Sequence, residues 1–287
     1  MQVTKEHVTH PHGSLRFLRF ELHAFRAPRH AHRHLELTWI ERGFGLRLVG
    51  NDASSFEDGD LVLLGSQVPH TWLTQGARQR PMPASSVVQF APEWLQSSPW
   101  PELARAGPLL LLAARGLHIR GKCAKEVKAA MTRMREADDY ARLAALIGII
   151  GSLVRHPRDL VPIATAPSAD GRSNDGGADA ASSRRVDRVI DWLQRHLAEE
   201  LRVDDAAKLA HVSPAAFSRW FKREVGKTFT QYLNDLRFGA ACVRLRQSDR
   251  PVATIAQDCG FATMSHFNRQ FRQRAGMTPR EYRGAVG

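Results

Sequence analysis

The sequence predicts a two-domain α+β chain: a β-rich N-terminal half with trailing helices, then a domain that is entirely helical. Three observations carry that expectation. Short β-rich segments, separated by turn residues, fill the first hundred positions. The stretch PIATAPSADGRSNDGGADAASS, residues 162–183, has no aromatic residue and no usable periodicity, and it divides the chain as a flexible linker would. Beyond it one pattern occurs twice, as FSRWFKREVGKTFTQY at 217–232 and FNRQFRQRAGMTPREY at 267–282.

At 287 residues the chain has room for two domains, each with its own core. Its formal charge is +12, so anionic partners are expected. Residues 184–287 hold +8 of that charge and residues 1–183 only +4, which makes the C-terminal part the candidate for binding a polyanion. Cys123, Cys242 and Cys259 show neither a disulfide framework nor zinc-finger spacing, in keeping with a reducing cytoplasm. The N-terminal MQVTKEHVTH lacks the apolar run of a signal peptide. The longest apolar run, LAALIGIIGSLV at 143–154, is too short to span a bilayer. A cytoplasmic protein with no membrane partner is expected.

In the N-terminal half, LRFLRFEL (15–22), LELTWIE (35–41), GLRLVG (45–50), DLVLLG (60–65) and SVVQF (86–90) read as strands of a sandwich or small barrel. On one continuous strand His30, His32, His34 and Glu36 would share a face, and the later segment EDGDLVLLGSQVPHTW adds His70. His30, His32, Glu36 and His70 are therefore candidate ligands for a divalent metal, or polar lining for a small molecule. Trp39 and Trp72 are candidate apolar walls of the same pocket. From about Cys123 the period becomes helical. Val127, Met131 and Met134, then Leu143, Leu146, Ile147, Ile150 and Val154, form apolar stripes on helices expected over 123–136 and 138–156.

In the repeat, a helical wheel puts Phe217, Phe221 and Val225 on one face and Ala215, Ser218, Arg219 and Lys222 on the other. The second copy buries Phe267, Phe271 and Ala275 and turns Ser265, Asn268, Arg269 and Arg272 outward. An Arg can fork onto guanine and an Asn onto adenine. Each copy follows a short helix and a turn. Ser213 before Pro214, and Thr263 after Gly260, are the expected N-caps. Ala207 and Ala256 stand where two helices would cross closely. Gly226 and Gly276 end the copies, and Thr228 with Gln231, then Thr278 with Glu281, start the next helices as capping boxes. Each copy is thus a helix-turn-helix. The helix from Thr228 to about Gln247 would be roughly 30 Å long, close to the ~34 Å between major-groove faces on one side of B-DNA. A plain helical bundle with solvated Arg faces is the rival reading; it leaves the matched caps and surplus charge unexplained.

These residues resemble the AraC/XylS family of transcriptional regulators. The resemblance covers nearly all of 184–287 and is densest in IAQDCGFATMSHFNRQFRQRAGMTPREYR. It implies two helix-turn-helix units joined by a long helix and sequence-specific binding to double-stranded DNA. By position it makes Ala215, Ser218 and Arg219 the first reader and Met264, Ser265, Asn268 and Arg269 the second, flanked by Ser213, Lys222, Thr263 and Arg272. His211 replaces a small residue common in the family's first turn and is read as structural. The histidine-rich N-terminal motifs resemble those of the cupin barrel, and more closely the sensor domains of the same regulators. That implies a cupin-like β-barrel at 1–161, a linker at 162–183 and the DNA-binding domain at 184–287. It also implies a small-molecule effector, a sugar among the candidates, a homodimer through the helices after the barrel, and contact of activators with RNA polymerase. The alternative is a metal-dependent cupin enzyme with an appended DNA-binding module. No P-loop, GxSxG elbow or dinucleotide fingerprint occurs, so no enzyme is expected. No cofactor is expected beyond a divalent metal in the barrel. A DNA-repair methyl-transfer protein would need a reactive-cysteine cluster, and residues 1–183 hold only Cys123. A non-specific architectural protein would be basic without paired readers.

Overall fold

A computed structural model describes residues 4–5, 15–27, 29–74, 81–165 and 178–286. The N-terminal strands are β1 (Thr4–Lys5), β2 (Leu15–Glu21), β3 (His30–Ala31), β4 (Leu35–Arg42), β5 (Gly45–Val49), β6 (Asp52–Phe56), β7 (Leu61–Leu64), β8 (His70–Thr74) and β9 (Ala84–Phe90). Short helices α1 (Glu93–Gln96), α2 (Pro101–Ala104) and α3 (Pro108–Ala113) lead to β10 (Leu117–Ile119). Helices α4 (Gly121–Arg133) and α5 (Asp139–Arg155) and strand β11 (Leu160–Pro162) complete this half. Most of the signal-peptide segment expected to be absent, and residues 166–177 of the expected linker, lie outside the described residues.

Instead of one closed barrel, the described strands form two sheets, ordered β1-β3-β8-β5-β6 and β11-β10-β7-β4-β9-β2. Their inner faces meet in a core that joins Ile40, Val62 and Leu64 of the larger sheet to Val49, Phe56 and Trp72 of the smaller. The pleat decides what each residue meets, because alternate side chains point to opposite faces. Along β4, Glu36, Thr38 and Ile40 point inward, lining the cavity between the sheets. Leu35 and Leu37 point outward and pack with Val127, Met131, Met134, Leu146 and Ile150 of α4 and α5. The predicted helical stripes are therefore core, although Ile147 and Val154 stay exposed. One expectation fails locally. His30 to Glu36 is not a continuous strand, for the chain bends at Arg33 and His34 between β3 and β4. The bend sends Arg33 outward to pair with Glu93.

The C-terminal half comprises α6 (Ala178–Arg195), α7 (Val203–Leu209), α8 (Pro214–Val225), α9 (Phe229–Gln247), α10 (Val252–Asp258), α11 (Met264–Ala275) and α12 (Pro279–Val286). Helix α6 begins inside the stretch expected to be linker: ADAASS lacks glycine and proline, and its alanines favour a helix. Trp220 fixes this segment by donating from Nε1 to Ser182 Oγ at 3.0 Å. Two aromatic cores follow, one around Phe217, Phe221 and Tyr232, the other around Phe267, Phe271 and Ile255.

The two halves are docked. Leu46, Leu48 and Ala53, on the outer face of the β5–β6 hairpin, belong to the same core as Val189, Phe221 and Tyr232. Every residue of β5 is consequently buried, since one face meets the other sheet and the other meets helices. Around this contact Arg29 pairs with Asp187, both buried. Lys227 Nζ lies 3.8 Å from Asp52 and 2.9 Å from Asp235, and Arg246 pairs with Glu57. Gly239 of α9 sits directly on Leu46; a Cβ there would come within 2.6 Å of Leu46 Cδ1.

Candidate DNA interface and the pocket between the sheets

Both predicted reader helices form, with the predicted caps. Ser213 Oγ accepts from the Ala216 amide at 3.3 Å, and Thr263 Oγ1 accepts from the His266 amide at 3.2 Å. Gly226 and Gly276 close α8 and α11 with φ of 74° and 71°. Reciprocal bonds between Thr228 and Gln231 start α9, and the same pair of bonds between Thr278 and Glu281 starts α12. Ala207 and Ala256, on the short helices α7 and α10, are almost fully buried in the same cores as Phe217 and Phe221 of α8 and Phe267 and Phe271 of α11. His211 has a left-handed backbone, φ 56°, as does Gly260, φ 80°, at the matching turn.

On α8, Ala215, Ser218, Arg219 and Lys222 are exposed, whereas Phe217, Phe221 and Val225 are buried. Trp220, which the wheel did not assign to the core, is buried with them. On α11, Ser265, Asn268, Arg269 and Arg272 are exposed, and Phe267 and Phe271 are buried. Ala275 is only partly buried, and Met264 packs partly against the second core. Arg280 and Arg283, both missed by sequence reasoning, line one groove with Asn268, Arg269 and Arg272. Their signal was the basic residues of the helix that the Thr278 capping box opens. Nineteen residues of α9 separate the units, about 28 Å of helix.

The second site is a cavity of about 230 Å³ between the two sheets. Leu18, Phe25, Ile40, Trp72 and Val87 give it an apolar wall, and His30, Glu36, His70 and Gln89 give it a polar side. Trp72 is thus where the sequence expected it. Trp39 is not: on β4 it has the opposite parity to Glu36 and Thr38, so it faces the helices, where the Arg135 guanidinium lies 5.7 Å above its ring. His32 sits behind the cavity, nearly fully buried.

At the polar side, donor atoms of His30, His32, Glu36 and His70 all lie within 4.8 Å of one another. Glu36 is the hub. Its Oε2 is 2.9 Å from His32 Nε2 and accepts from Gln89 Nε2 at 2.9 Å. Its Oε1 accepts from Thr38 Oγ1 at 2.6 Å and is 3.5 Å from His70 Nε2. Burial would raise the Glu36 carboxyl, but the His70 and His32 imidazoles beside it hold it well below the usual carboxylate range. The bend at Arg33 and His34 is what brings His30 and His32 round to Glu36; His34 contributes its backbone carbonyl, which accepts from His32 Nδ1 at 3.0 Å.

Among the described residues no helix is long and apolar enough to cross a membrane. Residues 206–285 match a family described as "Helix-turn-helix domain". The uncharacterized HTH-type transcriptional regulator YobQ of Bacillus subtilis (strain 168) is 34% identical over 97 residues, 34% of this chain and 40% of YobQ. The chain therefore spans less than half of that relative's length. The HTH-type transcriptional activator RhaS of Enterobacter sp. (strain 638) aligns over 89% of this chain and 87% of its own length at 24% identity. The regulatory protein SoxS of Salmonella typhimurium is 32% identical over 98 residues, 34% of this chain and 92% of SoxS. With 92% of SoxS aligned to this chain at 32% identity, and residues 206–285 matching the helix-turn-helix family, the chain belongs to the AraC family of helix-turn-helix transcriptional regulators.

Proposed function

We propose that the protein regulates transcription by reading two successive major-groove segments of double-stranded DNA, one with each helix-turn-helix. The observation that carries this reading is the pair of exposed faces, Ser218, Arg219 and Lys222 on α8 and Ser265, Asn268, Arg269 and Arg272 on α11, joined by a single helix. Ala215 and Met264 are contacts to the sugar-phosphate edge or to thymine methyls, Met264 with the smaller share because it is half-buried. Ser213 and Thr263 keep their side chains on their own helix termini and set the entry of each helix.

The cavity between the sheets is the effector site of this reading. Its wall is chiefly hydrocarbon and aromatic, which favours a small apolar molecule over a sugar. The two-sheet sandwich is a cupin-like domain in this account. Tyr140, Ile147 and Val154 leave an apolar face on α5 for a second copy of the chain, and a monomeric mass at micromolar concentration would remove that part. Contact with RNA polymerase belongs to the same proposal as the step after DNA binding.

The test is selection of binding sites from random duplex DNA, run in parallel with Arg269→Ala. A two-part motif with segments about one turn apart is expected, blurred at one base in the variant and weakened by ~1–3 kcal/mol there. Absence of any enriched motif would refute the reading.

A further inference from the structure

We infer that Asp235, on α9, is a positioning residue for DNA recognition: it locks the second reader helix to the first and so sets the separation at which two base segments are read together. The inference rests on the two-helix reading above and adds to it a residue outside both exposed reader faces. The Asp235 carboxylate takes one cation from each helix-turn-helix. Its Oδ2 accepts from Lys227 Nζ at 2.9 Å, and its Oδ1 accepts from Arg274 Nη2 at 2.6 Å. Lys227 is the single residue between Gly226, which closes α8, and Thr228, which caps α9. Arg274 lies in the last turn of α11. One side chain therefore ties the ends of both reader helices to the strut between them. Other ion pairs of the helical domain, such as Lys208 with Asp205 and Arg250 with Asp258, join neighbours within one unit.

The packing of the strut shows what this tie opposes. Tyr232, Leu233 and Leu236 belong to the first aromatic core, and Ala240, Ala241, Cys242 and Leu245 to the second. The cores are separate, and Gly239 stands between them inside α9. With no side chain to restrict the backbone, a glycine within a helix lets it bend at low cost. Leu46 of the β5–β6 hairpin presses on this glycine, but it belongs to the other half of the chain. Asp235 lies one turn before Gly239, and Arg274 belongs to the unit packed after it, so their bond bridges the weak point.

The geometry of the bridge is well constrained. Arg274 Nη1 donates to Gln270 Oε1 at 2.6 Å, and the guanidinium lies 5.6 Å from the centre of the Phe238 ring. Phe238 in turn packs on Phe271 of α11, with ring centres 5.0 Å apart. The side chains of Lys227, Asp235 and Arg274 are only 16%, 17% and 23% exposed. Salt screens such charges less than it screens a surface pair, and charge-assisted bonds of this length are the strong kind.

The test uses the full chain and mobility shift on the two-part site obtained by selection, with copies carrying one base pair more or less between the segments. One base pair turns one segment by roughly 35° relative to the other, so the wild type should bind the altered copies at least about tenfold more weakly. Asp235→Asn, of the same shape, should lose only about threefold on them, while base changes within either segment keep their wild-type cost. Arg274→Gln should behave alike, and Asp235→Glu, which keeps the carboxylate, should restore the discrimination. Wild-type discrimination of spacing in both Asp235→Asn and Arg274→Gln would overturn the inference, as would a wild type indifferent to spacing. Loss of helical circular dichroism or of base preference in the variants would overturn it too, because the carboxylate would then serve folding rather than position. If the wild type selects no two-part motif, the two-helix reading itself fails; a two-part motif whose spacing tolerance no variant alters removes only the role of Asp235.

Discussion

Replacing Gly239 with Gln should stabilise the helical domain alone and destabilise the whole chain. Gly239 lies inside α9, where glycine is a poor helix former, and glutamine should gain about 0.5 kcal/mol. In a fragment of residues 178–287 nothing opposes that gain, because the atoms facing Gly239 belong to the other half of the chain. In the full chain the first added carbon would lie 2.6 Å from Leu46 Cδ1, with the Ser54 and Ser55 backbone at 3.7 and 3.8 Å. Leu46 is itself buried and has little room to retreat. Overpacking of this kind costs about 1–3 kcal/mol, and burying the amide without partners costs about 1–3 kcal/mol more. The net effect therefore changes sign between fragment and chain. At about 4–8 °C per kcal/mol for the fragment and about 2–4 °C per kcal/mol for the larger full chain, calorimetry resolves the change of sign. A rise of the same size in both proteins would show that α9 does not rest on β5 and β6 in solution, and the docking described above would be wrong.

Two further outcomes follow from local geometry. His211→Gly should raise stability by up to about 1 kcal/mol in denaturant titration, since an exposed non-glycine residue at φ 56° carries a cost of about 1–2 kcal/mol, offset partly by glycine's greater unfolded freedom; a loss would mean that the imidazole makes a needed contact. His118 is pulled down to about 4 by burial, against the opposing attraction of Asp60, so it stays neutral in the folded protein while an unfolded histidine protonates near 6.5. The stability it contributes is present above pH 6.5 and is lost as the pH falls towards 4. His118→Gln should flatten that part of the stability profile, and an unchanged slope would exclude His118 as its source.

The helical domain was legible because its signals are local. Caps at Ser213, Thr228, Thr263 and Thr278 and glycines at 226 and 276 each act within one turn, so sequence distance and spatial distance coincide. Even there Met264 and Trp220 depended on how α8 and α11 seat on their neighbours, which a single-helix wheel does not contain. The N-terminal half was read less completely. Strand β6, DASSF, escaped because its small polar residues carry no apolar alternation; its pairing with β5 and its cover by α9 supply what its composition lacks. The four candidate metal ligands were found by motif. The sequence expects His30, His32 and Glu36 on one straight strand and His70 from a second segment; the strand is instead broken, and the bend at Arg33 and His34 brings the first three together. Trp39 was lost by parity: it alternates with Glu36 and Thr38 along β4 and so faces the other layer.

The contact of α9 with the β5–β6 hairpin has a consequence for the spacing of sites along DNA. The same helix that joins the two readers is clamped to the sheet through Gly239, with the buried Arg29–Asp187 pair holding α6 beside it. Those contacts oppose rotation of the N-terminal half about the strut, so under the proposed two-helix reading its azimuth around the duplex would be fixed by the seating of α8 and α11. In a dimer built through such rigid halves, the two sites must present the same rotational phase. Inserting half a helical turn, about 5 base pairs, between them would put the partners on opposite sides of the duplex, whereas about 10 would restore their alignment.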